Sequence, residues 1–514
     1  MSKPKRILLV LAALLLLLIA GAAATVRILL GGDRIKAAIE AQASAALERP
    51  VTIRTAVPRL FPRVSLDLTD VTIGTAREVT IDRIRLSTGL RALLHRRVDD
   101  AQVSIERSRI DVRWALALLA ALVNPPRTPA PPAPYALAID SIGSIALRDV
   151  TLVAGPHSLL VDMDSSLTGA DTFTIDRLEG SSMHSNFRAS GELASLSART
   201  GAFTVDAETL DLDGLFAFLV AATPAGAQEM ATPAGGTGAP VAAVPLNIEI
   251  AVRAKQGRAL GVELANLATT CRVNGGNVLL DDLQLEAFGG RYKGRAAFVG
   301  AGDPHYEWRG TFENLDVPRL VAYAGATGSI TGRLGGSVNL VAPGADPQQA
   351  MRRARGTARV VATDGKISGL QIVRTIILAF GKPSGAPPEG SGEAFTRLAA
   401  TLAISGQNAS TSDLTFNSRD LDMTGEGRMS FATQEIDFRT DVILSRELSA
   451  QAGRDLYRLA RDGERIVLPA RISGTVAAPT VFVDVQSALR RAVRNKVEDE
   501  VKGLFDRLRK RVIK

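Results

Sequence analysis

The residues able to do chemistry are few and scattered. Four histidines, His95, His157, His184 and His305, occur in 514 residues, and no two stand four apart as a zinc-binding helix requires. No His-Glu-x-x-His string, Gly-x-Ser-x-Gly elbow, Gly-x-x-x-x-Gly-Lys-Ser/Thr phosphate loop or Gly-x-Gly-x-x-Gly fingerprint is present. Acyl hydrolysis, nucleotide hydrolysis and dinucleotide chemistry therefore lack their usual signals. The single cysteine, Cys271, permits neither an intrachain disulfide nor a cysteine-based metal site. Asp281-Asp282 is an adjacent acid pair, but neighbouring strand residues point to opposite faces, so the pair is expected at a turn. Carboxylate pairs for glycoside cleavage have no fixed spacing and stay open. The expectation is a protein that is not an enzyme, with no catalytic, metal-ligating or cofactor-binding residues.

The charge is concentrated at the two ends. The formal net charge is +8; residues 1–26 supply +3 and residues 485–514 supply +6, which leaves −1 for everything between. A groove that tracks a polyanion along the body is disfavoured, and aromatic residues, at 4%, are too few for stacking platforms. No nucleic-acid partner is expected. With 46% hydrophobic and 22% charged residues the chain can bury a large core and is expected to form more than one domain.

The elements that must position any site can be read in order. Residues 7–26 carry no charge and are twenty in number, about the length that a helix needs to cross ~30 Å of hydrocarbon. Ile7, Leu14, Leu18 and Val26 mark this expected span; Lys3, Lys5 and Arg6 on its near side orient it with the body outside the cytoplasm. A cleaved signal peptide is the alternative, with Ala22 to Ala24 as small residues at its end. A helix is expected over Asp33 to Leu47, with Asp33 as its N-cap. The period then changes to two. Val64, Leu66 and Leu68 alternate with polar residues, as do Val79 and Ile81, then Leu246, Ile248, Ile250 and Val252, then Ile436, Phe438, Val442 and Leu444. Turns are expected at Asn274-Gly275-Gly276 and Asp364-Gly365, and the strands are expected to pair antiparallel.

Three stretches read as linkers or exposed loops: Asn124 to Pro134, Ala221 to Pro245 and Gly381 to Gly392. Short helices are expected near Trp114 to Leu122, Leu212 to Val220 and Glu447 to Arg461, and weak internal repetition favours an elongated sheet. Residues 485–514 place Leu489, Val493, Val497, Val501, Leu504 and Leu508 on one helical stripe opposite a basic face that includes Arg490, Arg494, Lys502 and Arg509. That helix either lies on anionic lipid through those four cations or caps the open end of the sheet with its charges solvated. The expected division is residues 1–26 as tip and anchor, 27–123 as N-terminal helix and strands, 124–134 as linker, 135–484 as β-rich body and 485–514 as basic helix.

The order of features resembles the AsmA-like family. The resemblance rests on the basic-flanked span, Arg34-Ile-Lys-Ala-Ala-Ile-Glu-Ala-Gln, Leu47-Glu-Arg-Pro-Val-Thr-Ile53 and Pro58-Arg-Leu-Phe-Pro-Arg-Val-Ser-Leu-Asp-Leu-Thr-Asp-Val-Thr-Ile-Gly74 near the start. Near the end it rests on Ile472-Ser-Gly-Thr-Val-Ala-Ala-Pro-Thr480 before the basic helix. It covers about residues 1–90 and 395–514 and departs at Glu48, where the family often has glycine. The resemblance implies an inner-membrane protein with a periplasmic, mainly β body: an elongated antiparallel sheet curled into a groove with an apolar inner face, similar to bridge-like lipid carriers. It transfers no catalytic or cofactor residue. Partners implied are the inner membrane, a phospholipid or glycolipid and an outer-membrane or envelope protein. The groove lining, if the strands face inward, is expected at Leu246, Ile248, Ile250, Val252, Phe438, Val442 and Leu444. Two other roles stay open: an assembly factor for outer-membrane proteins or lipopolysaccharide with a closed apolar core, and a periplasmic hydrolase.

Overall fold

Strands dominate the computed structural model, which describes residues 32–47, 49–59, 64–75, 77–88, 97–98, 100–113, 138–139, 142–168, 172–195, 198–222, 247–300, 302–325, 330–379, 381, 383–451, 461–462 and 465–484. The expected membrane span, the helix at Trp114 to Leu122, the linker 124–134 and the basic C-terminal helix lie outside the described residues. Among the described residues no helix is long and apolar enough to cross a membrane. The chain divides into two compact units, Met1–Val262 and Glu263–Lys514. Six helices are used below: α1 (Gly32–Leu47), α2 (Leu212–Ala222), α3 (Val317–Tyr323), α4 (Pro347–Arg352), α5 (Ile372–Ala379) and α6 (Arg446–Gln451). Since α1 begins at Gly32, Asp33 sits inside its first turn and not at the N-cap.

In the N-terminal unit most strands of the main sheet pair antiparallel, as alternation predicts, but two pairs of neighbours in it run parallel, as does the separate short pair Arg97–Val98 and Ala138–Ile139. Strand Ala101–Asp111 pairs parallel with Ile142–Ala154, and Thr200–Asp211 pairs parallel with Asn247–Ala259. The expectation of a purely antiparallel sheet is corrected here, and the reason lies in the connections. Parallel neighbours need a crossover of a dozen residues or more, and the Pro-rich 124–134 and Ala/Pro-rich 221–245 stretches lie within the two crossovers. Strand-to-strand register puts Leu68, Ile84, Ile105, Leu147, Met163, Leu178, Ala189, Val205 and Val252 in one row on one face. The other face carries ion pairs such as Arg85–Asp67 at 2.9 Å, Arg188–Glu179 at 3.2 Å and Lys255–Glu208 at 2.7 Å.

The C-terminal unit repeats this division. Leu280, Ala296, Trp308, Leu340, Gly356, Ile404, Ala409, Met429 and Ile436 form one row of register partners. Arg295–Glu307, Arg471–Asp437 and Arg465–Asp422 pairs lie on the reverse. Asn274-Gly275-Gly276-Asn277 is the two-residue hairpin the sequence predicts: Asn274 pairs with Asn277, and both glycines have positive φ, 55° and 90°.

Two expected turns lie within strands instead, Asp364 where pairing keeps its register (Thr363 with Arg397, Gly365 with Phe395) and Asp282 at a β-bulge. Asp364 lies inside strand Arg355–Ile367 with φ 50°, and Asp282 lies inside strand Asn277–Ala287 with φ 50°. The left-handed region suits Asp and Asn, whose short polar side chains tolerate it. Leu280 pairs with Ala296 and Leu283 with Gly294, two partners that share a face, so the bulge brings Leu280 and Leu283 to the same side. The same phase reset occurs at Asp149 between Leu147 and Val150 and at Asn314 between Phe312 and Leu315. Replacing Asp282 by valine should therefore destabilise the C-terminal unit by about 1–2 kcal/mol, the cost of a β-branched residue at left-handed φ. Asp282→Gly and Asp282→Asn should stay near wild type, as read from thermal and urea unfolding.

Candidate functional site: a half-exposed apolar sheet face

The uncharged face is closed where helices lie on it and open elsewhere. In the N-terminal unit α1 packs Ile39, Ala43 and Leu47 onto Leu68, Val71 and Ile81. Its polar residues bind the first strand: Glu40 Oε1 accepts from Ile53 N at 2.6 Å and Ser44 Oγ from Val51 N at 2.9 Å. Helix α2 places Phe218 and Ala222 against Ala154 and Leu152. Away from these helices the row is half-buried: Leu147, Met163, Leu178, Val205 and Val252 are all partly accessible.

In the C-terminal unit α5 and α6 cover one end of the face. Ile372 and Ile376 of α5 are fully buried with Phe416, Leu421, Met423, Leu448 and Leu468. Farther from the helices the face opens, and Trp308 is 42% exposed. Its ring lies 5.5 Å from that of Tyr292, whose hydroxyl donates to the Arg309 carbonyl at 3.1 Å. Burial pushes the Tyr292 phenol up to about 12, so its proton stays on and remains available for that bond.

The expected lining residues separate into three groups. Leu246 lies outside the described residues; Ile248, Ile250 and Val252 are half-buried on strand Asn247–Ala259, partnered with Gly201, Phe203 and Val205. Phe438 is also half-buried, its ring resting on Gly427, where an added Cβ would meet the ring at 2.2 Å. Val442 and Leu444 share its face but are wholly buried in the core with α5 and α6. The residues noted for chemistry stay apart. His184 is in an exposed turn, His157 and His305 begin strands, and His95 lies outside the described residues. Asp281 pairs with Arg272 on the charged face. Burial pushes the Cys271 thiol up, away from the reactive thiolate.

One buried carboxylate escaped the sequence reading. Glu393 is 6% exposed, and its Oε2 accepts from Ile372 N at 3.0 Å and Val373 N at 3.2 Å, capping the start of α5. Burial pushes its carboxyl up to about 7, the helix N–H donors oppose that rise, and Asp420 adds to it. The only available cue was an acid beside the Gly-rich 381–392 stretch, which solvated glutamates share. A folded pKa raised from 4.5 to about 7 stabilises the fold fully below pH 4.5, and this contribution is lost as pH rises through 7. The loss is on the order of 3 kcal/mol for that shift at ~1.4 kcal/mol per unit. Glu393→Gln keeps an oxygen acceptor for the helix and should flatten the unfolding-midpoint profile between pH 4.5 and 7, whereas Glu393→Ala should lower the midpoint at every pH.

In each unit the described strands thus present one ion-paired face and one half-exposed uncharged face. The chain is AsmA-like: the model of the AsmA family matches residues 1–114. The match spans α1 and the first strands, and the resemblance read at residues 395–514 is not part of it. No curated protein and no solved structure matches the chain.

Proposed function

We propose that this protein is a non-enzymatic envelope protein that binds lipid on its uncharged sheet face and transfers it, held at the inner membrane by residues 7–26 with its body in the periplasm. The observation that carries the reading is the half-exposure of that face in both units. A closed core, as expected of an assembly factor that holds no lipid, would bury Leu147, Met163, Val205 and Leu340 as fully as α5 buries Phe416. Left in water these side chains forgo about 25 cal/mol per Å². An acyl chain laid across the face recovers that energy, and about ten covered methylene groups contribute on the order of 8 kcal/mol. The headgroup stays in water. The cargo class is a phospholipid or glycolipid, whose chains match a surface without charge.

The test is native mass spectrometry with lipid extraction on the full chain, taken from membranes in mild detergent. Stoichiometric lipid is the expected result, together with lipid exchange between donor and acceptor vesicles. Ile250→Asp and Leu340→Asp each set a carboxylate on the half-exposed face and should strip bound lipid at least severalfold while leaving the melting temperature within a few degrees of wild type. A wild-type protein that carries no lipid and exchanges none rules the reading out.

A further inference from the structure

Within the C-terminal unit the uncharged face does not simply run out; it ends in a cavity. We infer that this cavity receives the methyl end of a single alkyl chain, an inference that rests on the lipid-binding reading above and adds the direction in which the lipid lies. Leu398, Leu414, Met423, Ile436, Phe438 and Ile472, from five strands, form its floor and walls. Its roof is made where the segment after strand Arg355–Ile367 meets the last hairpin. At Gly369 an added Cβ would lie 2.8 Å from Pro479 Cδ and 3.0 Å from the Ala477 carbonyl oxygen, so the two segments touch there. Leu370 and Val476 complete the cover.

Size and chemistry choose the occupant. The cavity measures about 170 Å³ and no charged side chain lines it. An apolar cavity of about 150 Å³ stays dry and takes a guest of roughly six carbons. The space therefore fits the last few carbons of one chain and excludes a phosphate or sugar headgroup, whose polar groups would find no partners. Position sets the direction. Phe416 forms the cavity's inner wall, and beyond it lie α5 and the fully buried Val442 and Leu468, which leave no onward path. On the other side lie half-buried Ile404 and Met429 of the open face. A chain entering from the open face meets a wall at its methyl end, and its headgroup is left outside the cavity. This end of the face is a stop, and it sets an upper length for the segment of chain that can lie beyond Ile436.

Photo-crosslinking on the full chain tests the direction. Two phospholipids are loaded, one with a diazirine on the terminal carbon of its acyl chain and one with a diazirine next to the ester, and adducts are mapped by peptide mass spectrometry. The terminal probe should label Leu398, Leu414, Met423, Ile436 or Phe438, and the ester-proximal probe should not. Ile436→Phe narrows the cavity at its open side; with an unchanged melting temperature it should reduce the terminal-probe adducts roughly tenfold, because the added ring volume takes the space of the alkyl end, while other lipid stays bound. Bound lipid whose terminal probe labels elsewhere, or whose ester-proximal probe labels these residues equally, overturns the inference and leaves lipid binding intact. A chain that retains no lipid at all removes both.

Discussion

Every strand in this protein must keep the same phase. A strand alternates its side chains with period two, so one residue of slip would turn an apolar row to the charged side and the reverse. The rows from Leu68 to Val252 and from Leu280 to Ile436 stay uncharged through many pairings because each slip is corrected where it arises. At Asp149, Asp282 and Asn314 the correction is a bulge on a residue with positive φ, and between Ile175 and Leu178 and between Thr411 and Leu414 the register shifts without one. Such bulges also bend and twist a sheet locally, so the device that keeps the apolar rows in step also shapes the surface they form.

The helices matter chiefly as covers, and each is fixed by polar atoms at its ends as well as by its apolar side. Asp316 and Asp346 cap α3 and α4 by accepting from Arg319 N and Gln349 N. Glu40 and Ser44 bind α1 to the first strand, and Glu393 holds the start of α5. What a cover leaves exposed is then a matter of its length. α5 has eight residues, enough to bury Phe416 and Leu468 and too few to reach Ile404 or Met429.

Much of this fold was legible in the sequence, and the failures have physical causes. Val64 to Leu68, Ile248 to Val252 and Ile436 to Leu444 announced strands because half-buried strands alternate, and Asp33 to Leu47 announced a helix because its apolar residues recur at helical spacing. The two parallel pairings were not legible, since alternation fixes which face a residue takes and says nothing of the direction of its neighbour. Asp282 and Asp364 were read as turns because Asp favours turns and left-handed φ alike. The string apolar-x-Asp/Asn-apolar, in Leu147-Arg-Asp149-Val150, Leu280-Asp-Asp282-Leu283 and Phe312-Glu-Asn314-Leu315, was the signal that could have separated the two. Of the candidate lining, Ile250 and Phe438 stayed half-buried while Val442 was fully buried, a difference set by where α5 lands and not by anything local to the strand.

The order of pairing also has a meaning in time. In the C-terminal unit each strand from Asn277–Ala287 to Glu435–Leu444 takes the strand made just before it as one neighbour. A chain delivered from its N-terminus can lay each strand on an edge already waiting, with a short loop to close at most steps and a helix-bearing connection at 317–332, 344–354 and 368–392. The parallel pairings at Ile142–Ala154 and Asn247–Ala259 interrupt that rhythm, because the waiting edge must stay unpaired until a long connection has passed. Those two intervals, together with the connection 368–392, are where a half-made molecule of this protein is most open to pairing with another copy of itself.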